Sequence, residues 1–321
     1  MVRKKSVFTV TDDLSDVFNN LTIKSDVTVL KALEIILKQM KTTGNRERTL
    51  YDYDKQINHF VRITGVVNIS DITVFHIYDW IESMEVSNVT KLTRLKCLKA
   101  FLNRCFKLGW LSIQFWNDIK IKVDSPIKEG ATEQNVQTLL RHLDFNDFFQ
   151  LRDATAILTM YQTGIRIGTL SKITEGHIDL EENVLRIPGS IVKNHEELIL
   201  PFDDVLARLF TVLFKQNAIV RKNANRSNQL VFITRSGGSS QNTAMKNNII
   251  SKRIAQYAKK FNIENVNPHA LRRGFAINLR KKGANISLIS NALGHSDLSV
   301  TTRYLHYDKL EIAEELRNFL K

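Results

Sequence analysis

The stretch Leu293-Gly-His-Ser-Asp-Leu-Ser-Val-Thr-Thr-Arg-Tyr304 decides how this chain of 321 residues is read. It closes on a tyrosine nine residues after His295. Upstream, Pro268-His-Ala-Leu-Arg-Arg-Gly274 has a proline suited to opening a helix, with His269 and Arg272 on one face of it. Further back, Thr163-Gly-Ile-Arg-Ile-Gly-Thr-Leu170 offers Gly164 for a sharp turn and Arg166 at the start of the helix that follows. Between these pieces, Val192-Lys-Asn-His-Glu-Glu-Leu-Ile-Leu-Pro201 sets Lys193 in a turn between two β-type runs. Taken singly, each residue has a plain explanation: a surface arginine, a capping histidine, a packing tyrosine.

Taken jointly, they resemble the tyrosine recombinases, and that resemblance implies one chemistry. Breaking a phosphodiester without a metal needs a nucleophile, neutralisation of the non-bridging oxygens, and a proton for the leaving oxygen. Tyr304 offers a phenol able to form a covalent phosphotyrosine. Arg166 and Arg272 offer planar, paired hydrogen bonds to phosphoryl oxygens, which lysine makes less well. The six positions Arg166, Lys193, His269, Arg272, His295 and Tyr304 stand in the order found in the tyrosine recombinases, the phage integrase family, which this chain resembles over roughly residues 26–321.

That resemblance implies a role for each residue. Tyr304 is the nucleophile and the two arginines clamp the phosphate. Lys193 is the general acid for the 5′-oxygen, His269 accepts the tyrosine proton, and His295 donates a hydrogen bond to the phosphate. The covalent link conserves the bond energy, so no cofactor is expected. The implied partners are double-stranded DNA, a homotetramer on paired sites and, in some systems, accessory DNA-bending proteins. The family usually carries an acid three residues after the first arginine, and Thr169 stands there instead. Tyr307 is a rival nucleophile on the same helix, disfavoured by its spacing from His295. A site-specific recombinase or integrase is the leading reading. The alternative is a non-recombining DNA-binding regulator, a phage-type repressor keeping the fold.

Composition agrees with a nucleic-acid partner. Lys and Arg number 46 against 33 Asp and Glu, a net charge of +13. Such a surplus attracts a polyanion, although an unspecialised basic surface would carry it equally well. No run reaches the roughly 20 apolar residues of a membrane span, and no apolar signal core follows the basic Met1–Lys5. The chain is therefore expected in the cytoplasm, bacterial or phage-encoded. Cys97 and Cys105 lie eight apart in one predicted helix, cannot pair there, and read as core thiols. The Ser236–Ser240 loop lacks the Gly-Lys-Ser/Thr ending of a P-loop. His269 and His295 have no cysteine neighbours to make a zinc site.

Working outward, the fold class expected is mainly α with a small β-sheet: a helical, SAM-like core-binding domain followed by a tyrosine recombinase catalytic domain. Residues 1–25 read as an N-terminal arm and 26–121 as the core-binding domain. Within the latter, Val29, Leu30, Leu33, Ile36, Leu37 and Met40 share one helical face. Its longest predicted helix, from about Asn88 to Leu108, turns Lys96, Arg104 and Lys107 away from its apolar stripe. These three are candidate DNA contacts, with ordinary solvated surface as the competing reading. Residues 122–132, with a Pro, a Gly and charges, read as a linker, and 133–321 as the catalytic domain. There, strands are predicted at Val184–Ile187, Leu198–Leu200 and Leu230–Ile233, and a helix from about Met245.

Overall fold

The computed structural model describes residues 27–124, 128–192, 196–242, 247–295 and 297–302, and Arg317. The chain divides into two compact units, Met1–Ser125 and Pro126–Lys321.

The N-terminal unit is built of helices α1 (Val29–Thr42), α2 (Glu47–Thr64), α3 (Val74–Glu82) and α4 (Asn88–Lys107). Each begins where a short polar side chain or an acidic residue favours a helix start: the Thr28 hydroxyl, for example, accepts from the Lys31 amide at 3.2 Å. The apolar stripes interlock around Phe60, Trp80, Phe101 and Trp116, all fully buried. The α1 stripe is narrower than its periodicity indicated, because Leu30 lies half exposed at 51%. Helix α4 buries Phe101 beside Leu95, Leu98, Leu102 and Cys105. Cys105 is buried and Cys97 half-buried, both free. Burial holds the Cys97 thiol up at about 11 and the Cys105 thiol at about 12, so both rest as unreactive thiols.

The C-terminal unit opens with α5 (Glu133–Arg141) and α6 (Phe148–Thr163), then the single turn α7 (Ile167–Leu170). Strands β1 (Ile178–Asp179), β2 (Val184–Ile187) and β3 (Leu198–Pro201) form an antiparallel sheet in the order β1-β2-β3. Leu185 pairs with both Ile178 and Leu200, so the buried residues share one face while Arg186 and Ile199 point outward. Helix α8 (Asp204–Asn223), a short hairpin of β4 (Gln241–Asn242) and β5 (Asn247–Asn248), and helices α9 (Ile249–Lys260), α10 (Pro268–Lys281), α11 (Ile286–Leu293) and α12 (Leu298–Thr302) follow.

Two expectations are corrected here. Leu230–Ile233 is not a strand: Leu230 and Ile233 make only isolated bridges, to Thr174 and Ser239. Side chains occupy its carbonyls instead, Arg221 on Leu230, Asn217 on Val231 and Arg152 on Ile233. The helix predicted from Met245 begins at Ile249, where the Asn248 side chain caps it by accepting from the Ser251 amide.

Helix α6 organises this unit. From Leu151 to Thr163 only Leu158 and Gln162 escape full burial. Thr155, Thr159 and Thr163 each satisfy their hydroxyl by donating to the carbonyl one turn back. Buried Asp153 accepts from Arg152 at 2.7 Å, from Tyr257 at 2.9 Å and from Arg253. Every buried charge on the helix is thereby paired.

Candidate active site

The site grows from the C-terminal end of α6. Gly164 caps that helix with φ 65°, the left-handed region that glycine enters without a Cβ clash. A Cβ there would also collide with the Phe275 ring and come within 2.9 Å of Leu293. The sharp turn puts Arg166 at the N-cap of α7, half-buried.

Arg272, on α10, is 3% exposed. Its Nη1 donates to the Gly164 carbonyl at 2.5 Å, and its Nη2 donates to the Leu293 carbonyl at 2.7 Å. The same Nη2 lies 2.8 Å from His295 Nε2. Helix α10 starts where predicted, with Asn267 capping it and Pro268 in its first turn. One guanidinium thus joins three of the four motif segments, two of them through backbone carbonyls that cannot swing away. The buried cation has its hydrogen bonds, and they fix its plane.

His295 follows Gly294, which ends α11 in the left-handed conformation. Arginine can only donate, so Nε2 of His295 is an acceptor in this arrangement. The ring proton then sits on Nδ1, which is 2.8 Å from the Thr301 hydroxyl. Desolvation, and then the positive charges of Arg272 and Arg166, hold the His295 pKa down to about 4. His269 stands one turn before Arg272 with its side chain at the surface. Its pKa is also lowered, first by desolvation and then by Arg273, Arg272, Lys128 and Arg166. Both imidazoles are therefore neutral near pH 7, in a strongly cationic environment.

The structure brings together Arg166, His269, Arg272 and His295. Lys193 and Tyr304 lie outside the described residues, as do the rival Tyr307 and the C-terminal apolar stripe of Leu310, Ala313, Leu316 and Leu320. Thr169, in the place of the usual acid, is buried at 6%. It puts no negative charge beside the cluster. Among the described residues, no group of three or more His, Cys, Asp or Glu could hold a metal. In the N-terminal unit, Lys96 and Lys107 are exposed on α4 and Arg104 is half-buried. Sequence reasoning missed Thr301, whose hydroxyl faces the His295 Nδ1 proton, since nothing in a threonine six residues downstream announces that contact. It also missed the docking of the linker end on α10: Ala131 N donates to the Ala270 carbonyl at 2.8 Å and Arg273 Nε to the Glu129 carbonyl at 2.9 Å.

Comparison with known proteins points one way. The phage integrase family profile matches residues 130–311. A tyrosine recombinase of Thermosipho africanus is 26% identical over 270 residues, covering 81% of this chain and 89% of that one. The tyrosine recombinase XerD of Pasteurella multocida is 30% identical over 193 residues, covering 59% of this chain and 61% of that protein. Among solved structures, the Tn1549 transposon integrase in complex with transposon right end DNA has a TM-score of 0.73 at 19% identity, over 92% of this chain and 100% of that one. A lambda integrase tetramer bound to a Holliday junction has a TM-score of 0.67 at 15% identity, over 96% and 86%. At these identities the structural matches establish the fold.

Proposed function

Because this chain belongs to the phage integrase family, we propose that it is a site-specific DNA recombinase that cuts and rejoins strands through a 3′-phosphotyrosine. The observation that carries this is the buried Arg272 fork, which ties Gly164, Leu293 and His295 into one cluster. A regulator that only binds DNA has no need of that pre-set geometry, and the relatives are recombinases rather than repressors.

The division of labour follows the sequence. Residues 1–25 are an arm, 26–121 grip DNA, 122–132 link, and 133–321 carry the chemistry. Lys96, Arg104 and Lys107 are further phosphate contacts. In the cutting step the Tyr304 oxygen attacks the phosphorus and its proton passes to neutral His269. The bond to the 5′-oxygen breaks, and Lys193 protonates that oxygen. Arg166 and Arg272 balance the charge that builds on the non-bridging oxygens. His295 can donate to the phosphate only after taking up a proton at Nε2. The approach of an anionic phosphate favours that uptake. Rejoining is the reverse, with a 5′-hydroxyl attacking the phosphotyrosine.

Paired sites call for a tetramer, the assembly seen for lambda integrase on a Holliday junction. The apolar stripe of Leu310, Ala313, Leu316 and Leu320 is a natural contact between subunits, and accessory proteins that bend DNA would serve the same assembly. Among the described residues no helix is long and apolar enough to cross a membrane, which suits work on DNA in a bacterial cytoplasm.

The test is covalent capture on a nicked suicide duplex carrying the protein's own site. The unmodified protein should become linked to DNA. Tyr304→Phe should bind with unchanged affinity and form no adduct, and Tyr307→Phe should still link. An adduct in the Tyr304→Phe protein removes the assignment.

A further inference from the structure

The end of the linker is bonded along the first turns of α10, the helix that carries His269 and Arg272. The Ala131 amide donates to the Ala270 carbonyl at 2.8 Å, and Arg273 Nε donates to the Glu129 carbonyl at 2.9 Å. The Glu129 carboxylate accepts from the Asn265 side chain, just ahead of the helix, at 2.9 Å. Gly130 runs so close that a Cβ on it would lie 2.7 Å from the Gly274 amide nitrogen and 2.9 Å from the Ile277 side chain. Three consecutive linker residues, 129–131, are thus held against α10 and its approach, largely through backbone groups that no side-chain rotation can release.

This seat fixes where Lys128 enters. It is the residue immediately before Glu129, and its side chain is exposed. Arg273, which holds the Glu129 carbonyl, stands one turn after His269 and shares a helix face with it. The leading charges acting on the His269 ring are all positive: Arg273 and Arg272 from α10, Lys128 from the linker and Arg166 from α7. The Glu129 carboxylate, the nearest acid in sequence, is turned to Asn265. Among the described residues, Lys128 makes no ion pair that would cancel its charge. A phosphate drawn to this cluster brings negative charge, which favours the imidazolium form of a nearby histidine. A protonated His269 cannot take the tyrosine proton. A cation seated beside the ring opposes that protonation without touching the substrate.

We propose that Lys128 is a positioning residue of the cutting step: seated by residues 129–131, its ammonium disfavours a second charge at His269 and keeps that imidazole free to accept the Tyr304 proton. The assignment rests on the recombinase reading above. It gives the linker a part in the chemistry as well as in connection.

The experiment follows single-turnover cleavage of the nicked suicide duplex by the full chain, at saturating protein, from about pH 5.5 to 8.5. Removing a nearby positive charge raises the His269 pKa, so less of the ring is neutral in acid and the acid limb moves to higher pH. Lys128→Gln should move that limb by roughly 0.5 unit, about a threefold loss of rate along it. The alkaline plateau and the affinity for uncleaved duplex should stay within about twofold of the unmodified protein. Lys128→Arg should restore the profile, and Lys128→Glu should move the limb further in the same direction, by roughly 1 unit. Gly130→Ala, which unseats the linker, should give a similar shift, and adding Lys128→Gln to it should change nothing more. Lys282→Gln, at the far end of α10, controls for generic charge and should leave the profile as it is. Thermal melting of each variant checks folding. An acid limb in Lys128→Gln that superimposes on the unmodified one overturns the assignment while the recombinase reading stands. An equal shift in Lys282→Gln, or additive shifts in the double variant, overturns it as well. If the unmodified protein forms no covalent complex at any pH, the recombinase reading falls and takes this assignment with it.

Discussion

Helices α4 and α6 are the long central helices of their units and live in opposite surroundings. Helix α4 buries one stripe, Leu95, Leu98, Phe101, Leu102 and Cys105, and exposes Lys96 and Lys107. Helix α6 is enclosed on nearly every side and carries Arg152, Asp153, Thr155, Thr159 and Thr163 into the core. An amphipathic helix can place charge anywhere off its stripe at little cost, so its basic face is free to meet DNA. An enclosed helix must satisfy each polar group internally, and in return it makes a rigid platform. The cluster of Arg166, His269, Arg272 and His295 is assembled at the end of that platform, at Gly164. A site that must hold a guanidinium to within tenths of an ångström belongs on the stiffer of the two.

The contrast between the two helices can be broken most severely at Asp153. Asp153→Asn leaves Arg152 and Arg253 with a neutral partner inside the C-terminal unit, and should cost about 3–5 kcal/mol. The equivalent change in the exposed Arg48–Asp52 pair of the N-terminal unit, Asp52→Asn, should cost roughly 0–1 kcal/mol. Urea titration of both variants measures the difference, and equal midpoints would mean that the buried network contributes nothing special.

A smaller effect is expected from two glycines. A Cβ on Gly274 would collide with the Ala131 carbonyl and lie 3.0 Å from the Tyr161 ring, because the linker end runs directly over α10. Gly274→Ala should cost roughly 1–3 kcal/mol through overpacking. It should also slow strand cleavage, since the displaced helix carries His269 and Arg272. Gly65, the cap of α2 with φ 68°, has open space around it. Gly65→Ala should cost about 1–2 kcal/mol from backbone strain alone and leave cleavage unchanged. The comparison turns on cleavage rate: if both variants cleave like the unmodified protein, linker docking does not position the site.

The subtlest change is Thr301→Val, which keeps shape and burial but removes the acceptor for His295 Nδ1. Cleavage should fall about tenfold, with affinity for uncleaved DNA unchanged, as expected for the loss of one orienting hydrogen bond. Thr301→Ser should restore the rate. The pH profile should move to lower pH as well, because the protonated imidazole, already disfavoured with a pKa of about 4, loses the acceptor for its Nδ1 proton. A flat response in both rate and profile would leave Thr301 a packing residue.

Much of this protein was legible without coordinates. Helical periodicity placed α1 to α4 to within a few residues, because each buries a single stripe and period alone encodes that. The family was legible for another reason: six polar residues of the right types, in one order, have no packing explanation in common. The same reading failed where burial lost its period. At Leu230–Ile233 an apolar run looked like a strand, but Arg221, Asn217 and Arg152 came from distant parts of the chain to occupy its carbonyls. Asp153 gave no hint that it would gather groups a hundred residues away. Composition and order thus determined the family and singled out the candidate reacting groups, since these depend on residue type. Tertiary structure alone decided the tautomer of His295, the tethering of Arg272 and the linker seat on α10, since each is a contact between segments far apart in the chain.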